Sequence, residues 1–70
     1  MVYQIAAPKF KMGSKVIVNS NSSPYKGHTG VIEGEPAKDT FRFWYIVKFE
    51  SNGLTVVGRF AEEQLGGVVD

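Results

Sequence analysis

The chain predicts an all-β fold, a small five-stranded antiparallel barrel with one 3-10 turn before the last strand. Three observations carry that expectation. Residues 41–50 alternate strictly, with Phe41, Phe43, Tyr45, Val47 and Phe49 on one face of a period-two pattern. Asn52-Gly53 follows at once, the dipeptide that tolerates the positive φ of a two-residue hairpin turn. Earlier, Pro24-Tyr25-Lys26-Gly27-His28-Thr29-Gly30 runs straight into Val31-Ile32, so a strand starts abruptly after a tight reversal.

Taken in order, residues 1–12 form an N-terminal arm or edge strand, because Pro8 removes a ladder donor between Ile5 and Phe10. The barrel occupies residues 13–70. Met12-Gly13-Ser14 turns into the β-branched run Lys15–Asn19, with Val16 and Val18 facing inward. Ser20–Pro24 collects residues that bond their own backbone or fix φ, which makes a surface loop with Tyr25 at its tip. A second strand, Val31-Ile32-Glu33, gives way to a polar loop over residues 34–40. The third strand is Phe41–Glu50, and its other face carries Arg42, Trp44, Ile46, Lys48 and Glu50. Leu54–Phe60 returns as the fourth, with Gly58 marking a bulge where the barrel bends. Ala61–Leu65 has helical composition for one turn only, stopped by Gly66-Gly67, and Val68-Val69 closes the barrel as the fifth strand.

Size and composition narrow the functional classes. Seventy residues make at most one domain, and without cysteine there is neither a disulfide framework nor a thiolate metal site. Packing, strand pairing or association has to supply the stability, so docking or a homo-oligomer is expected. No stretch has the length of a membrane helix and the first residues lack the pattern of a signal peptide, which predicts a cytoplasmic protein with no membrane insertion. The net charge of +1 is unevenly spread: residues 1–30 hold four lysines and no acid, whereas residues 31–70 hold four bases against seven acids. Such a dipole orients a charged partner without the basic excess of a dedicated nucleic-acid binder.

Candidate chemistry is sparse. His28 is the single histidine, so no His pair or Cys–His set exists for a metal, and a solvated turn residue is the simpler reading. Ser14, Ser20, Ser22 and Ser23 have no elbow or triad around them, and Glu62-Glu63 point apart as neighbours do. Gly27-x-x-Gly30 lacks the third glycine and the helix of a phosphate cradle. No catalytic residue, cofactor or metal is expected. The candidate binding surface combines Tyr25, Lys26 and His28 on one loop with Arg42 and Trp44 on the outer face of the third strand and Arg59 on the fourth. Aromatic rings interleaved with bases suit stacking plus charge, on a protein or on a nucleobase. The competing reading is that the arm folds over Trp44 and Ile46 and makes them a second small core.

Gly13-Ser14-Lys15-Val16, the loop with Tyr25, the Gly27…Gly30-Val31 turn, Tyr45–Glu50 and Phe60–Leu65 together resemble the SH3-like barrels. Over residues 13–69 they are most similar to the small electron-transport accessory barrels found in photosystem I. That resemblance implies a non-catalytic barrel docked on a larger assembly, whose basic loops receive an acidic protein. Residues 1–12 have no counterpart there, and the Asn52-Gly53 hairpin is shorter. Lys15–Ile32 also resembles the KOW motif of ribosomal and transcription-elongation proteins, which implies RNA or DNA contact as the alternative function. By layout the chain is similar as well to the plasmid-encoded dihydrofolate reductase, a tetrameric barrel. The hallmark Val-Gln-Ile-Tyr strand of that enzyme stands here as Val56-Val57-Gly58-Arg59, which places an oligomeric enzyme last. The expected function is a non-enzymatic interaction module that steers an acidic partner with Lys26, Arg42 and Arg59.

Overall fold

Alternation of apolar and polar residues gives each strand one face that must be buried, and a single sheet satisfies all of them by curling over a shared core. The computed structural model describes residues 7–68. It contains β1 (Lys15–Val18), β2 (Thr29–Lys38), β3 (Phe43–Ser51), β4 (Leu54–Ala61), a 3-10 turn (Glu62–Gln64) and β5 (Leu65–Gly67). All five strands pair antiparallel in the spatial order β4-β3-β2-β1-β5. The inner face carries Val16, Val18, Ile32, Tyr45, Val47, Phe49, Phe60 and Leu65, and these side chains form one core.

The sheet is open, where a closed barrel was expected. Among the described residues, β4 pairs only with β3, and β5 only with β1. β5 has three residues, two of them glycine, which take the chain from the 3-10 turn to β1 and no further. The last strand is therefore Leu65–Gly67 rather than Val68-Val69: Val68 only adds a bond from its N–H to the Lys15 carbonyl, and Val69 lies outside the described residues.

Residues 34–38 continue β2 instead of forming a loop. Three β2 residues lie between the Glu33↔Ile46 and Ala37↔Trp44 pairs, against the single Tyr45 of β3. Gly34, at φ +70°, provides the left-handed residue that this register shift needs. Pro36 falls in the same irregular stretch, so its missing N–H removes no ladder bond.

Phe41 is a second correction. It is 87% exposed and precedes β3, because the Asp39 carboxylate accepts the Phe41 and Arg42 N–H groups and turns the chain before the strand begins. The inward seam runs from Phe43 to Phe49. Gly58 is a third. It sits in an unbroken β3·β4 register opposite Val47, and a Cβ there would come within 2.8 Å of the Phe60 ring. The glycine makes room for an aromatic side chain two residues on, with no bulge.

In the tight reversal before β2, Gly27 adopts φ +91° while Gly30 does not leave the strand conformation. Gly30 is needed for proximity: a Cβ would lie 2.6 Å from the Lys48 carbonyl oxygen. The hairpin at Asn52 (φ 53°) and Gly53 (φ 77°) has the two positive φ values of a type I′ turn, as expected.

The arm contributes to the core. Phe10 is buried and meets Tyr45 edge-on at 5.5 Å between centroids. Its N–H donates to the Tyr45 hydroxyl (3.3 Å), which donates in turn to Glu62 Oε2 (2.6 Å), and that oxygen also accepts the Lys9 N–H (3.0 Å). Lys9 and Phe10 are thus pinned beside Tyr45, with the Phe10 ring on the inner side of the sheet. The arm of residues 1–11 was expected to cover Trp44 and Ile46; Lys9 and Phe10 lie against Tyr45 and Glu62 instead, and residues 1–6 lie outside the described residues.

Candidate functional site

The loop between β2 and β3 is built by one side chain. The Asp39 N–H donates to the Arg42 carbonyl (3.0 Å), while Asp39 Oδ1 accepts the N–H groups of Phe41 (2.8 Å) and Arg42 (2.9 Å). Oδ2 accepts the indole Nε1–H of Trp44 at 2.8 Å. These bonds favour the charged carboxylate, the indole most of all, with the Arg42 charge adding to them. They hold the Asp39 pKa down at about 2.

Trp44 is thereby fixed on the outer face. Cross-strand register places Ile46 opposite Arg59, so Arg59 is the diagonal neighbour of Trp44, and its guanidinium lies 4.5 Å from the indole ring centroid. Arg42 lies 5.8 Å from the same centroid and pairs with Glu63 Oε1 at 2.9 Å. Arg42, Trp44 and Arg59 therefore form one cluster, ordered by Asp39 and Glu63.

The outer face beside this cluster is partly apolar. Rows across β2, β3 and β4 read Val31–Lys48–Val57 and Glu33–Ile46–Arg59. Val31, Ile46 and Val57 are all exposed, the last at 59%. Lys48 reaches Glu33 at 3.6 Å. A shallow cavity of about 290 Å³ opens here, lined by Val31, Glu33, Lys48, Glu50 and Thr55.

Tyr25, Lys26 and His28 lie elsewhere. The Tyr25 ring meets Phe49 edge-on at 5.0 Å, and the His28 ring approaches Phe49 to 5.6 Å. His28 Nδ1 is 3.0 Å from the Tyr25 carbonyl oxygen, which can only accept, so Nδ1 carries the proton. Lys26 Nζ donates to Asn21 Oδ1. The loop caps the Phe49 end of the core, whereas Trp44 is five residues along β3 on the other face, about 16 Å away at strand rise. The six predicted contact residues make two separate groups.

Sequence reasoning missed Asp39 and Glu63 as members of the site. Asp39 carried a signal, an Asp placed two and three residues before the amides it captures; the Arg42–Glu63 pair joins a loop to the 3-10 turn and leaves no local trace. Among the described residues, no three His, Asp or Glu side chains converge as a metal site would require. No family model, curated protein or solved structure matches the chain.

Proposed function

We propose that the chain is a non-enzymatic interaction module of the SH3-like type that docks on a protein surface through the outer face of β2, β3 and β4. The observation that carries this reading is the Trp44–Arg59 stack set beside exposed Val31, Ile46 and Val57. An antiparallel sheet with one solvated face ordinarily alternates to polar side chains there, and contiguous apolar groups around an aromatic–arginine pair are the composition of a contact surface. Arg59 gives that surface a positive component, which suits an acidic partner.

The test is comparative capture from the native cell by immobilised wild-type chain, Trp44→Ala, Ile46→Glu and Lys26→Glu. Trp44→Ala is expected to cost about 2 kcal/mol of binding with an unchanged circular dichroism spectrum, and Ile46→Glu to abolish capture, while Lys26→Glu has no effect. Equal capture by all four proteins would overturn the reading. Retention on RNA or DNA at low salt, with a steep fall as salt rises, would instead assign Arg59 and Trp44 to phosphate and base and install the KOW-type alternative.

A further inference from the structure

The open sheet leaves β4 as a long edge. Leu54–Ala61 is eight residues of unbroken register with no proline, no lysine and no bulge, the devices that ordinarily protect an edge. The type I′ turn makes Ser51 and Leu54 a hydrogen-bonded pair, so alternate β4 residues bond to β3, and Thr55, Val57, Arg59 and Ala61 turn their backbone groups outward. Ala61 agrees with this phase, since its N–H is taken by Gln64 Oε1 at 2.8 Å. No described residue engages the other three.

We propose that the occupant of this edge is β4 of a second copy, paired antiparallel across a two-fold axis at Val57. That register, Thr55 to Arg59 of the second copy and Val57 to Val57 of the second copy, uses all three open residues of both strands. On the inner side it sets exposed Leu54 opposite Phe60 of the second copy, and Val56 opposite Gly58, over which the Phe60 ring lies. Charge decides for a second copy over an unrelated strand. Glu50 neighbours Thr55 on the outer face and has no cation among the described residues, and Arg59 has no carboxylate. The two-fold places each Arg59 two strand spacings, about 10 Å at the Cα atoms, from Glu50 of the other copy, within the joint reach of the two side chains once the guanidinium leaves the Trp44 ring. The contact is isologous, and the pair occurs twice. It does not depend on the outer-face docking reading, which stays intact in a monomer.

Sedimentation equilibrium tests the proposal. The wild type is expected at twice 7.7 kDa at high concentration and to dissociate on dilution. Val57→Pro removes only an outward N–H and is expected to be monomeric with its fold retained. Glu50→Arg and Arg59→Glu alone should each weaken the dimer roughly tenfold, and the double exchange should restore it. Amide exchange reads the wild type directly: the Thr55, Val57 and Arg59 amides should be protected when concentrated and should lose protection on a roughly hundredfold dilution. A wild type that is monomeric throughout would overturn the proposal, as would a dimer indifferent to both charge changes. Protection of these three amides independent of concentration would overturn it too, and would assign the edge to the chain's own first residues.

Discussion

The carboxylate of Asp39 holds three donors and, through one of them, the orientation of the indole at the centre of the candidate site. Its pKa is lowered from 3.8 to about 2, so its stabilising contribution is complete above pH 4 and is lost as the pH falls through 2. The Trp44 Nε1–H resonance is expected to shift with a midpoint near pH 2, and Asp39→Ala to abolish that transition; a midpoint near 4 would mean that the indole bond is absent in solution. At the opposite end of the scale, burial raises the Tyr45 pKa, with the bond to Glu62 adding to it. A raised phenol contributes stability that is whole below pH 10 and declines above it as the unfolded chain ionises first. Tyr45→Phe removes that alkaline dependence and is expected to cost about 1–2 kcal/mol in denaturant titration, because the Phe10 N–H loses its acceptor and Glu62 a donor. The inward face of β3 was legible from parity alone, since Tyr45, Val47 and Phe49 are buried as the pattern requires. Parity does not say where a strand starts, and Phe41 shows it: a side chain two residues upstream captured its backbone and took it out of the sheet.

Among the elements, β2 is the one whose extent the composition concealed. Gly34, Glu35 and Pro36 are turn-forming or strand-averse residues, yet they sit in a strand because a register shift exempts them from pairing. The same element passes close to β3 at Gly30. Gly30→Ala would drive a methyl group into the Lys48 carbonyl and the Val47 side chain, and is expected to destabilise the fold by about 1–3 kcal/mol in thermal or denaturant unfolding. Loss of less than a few tenths would show that β2 and β3 lie farther apart there. The two glycines of the reversal before β2 stand out in the sequence, and each is required for a different reason, backbone angle at Gly27 and proximity at Gly30. Gly58 stands out too, but its sequence context is ambiguous: a bulge and a ring-sized vacancy both select glycine, and only the partner strand distinguishes them.

For the molecule as a whole, five antiparallel strands and a single 3-10 turn before the last of them were readable, whereas closure was not. Closure depends on how far three residues of β5 reach, and local pattern contains no such length. The binding surface was half readable for a similar reason, because Trp44 and Arg59 share a face by register while the Tyr25 loop is drawn to the core by Phe49. With Arg42 and Lys48 both beside glutamates, the outer face has few uncompensated charges, so affinity for a protein partner is expected to fall only shallowly as ionic strength rises. A slope of several units of log affinity per unit of log salt would contradict a docking surface of this kind. The pairing of β1 with β5 has a kinetic corollary. Val16↔Gly67 joins residues far apart in sequence, so a large loop must close, while β3 and β4 are held by a two-residue connection. On a ribosome the hairpin can zip as soon as it emerges, but β1 must wait for β5 to be translated before it finds its second neighbour.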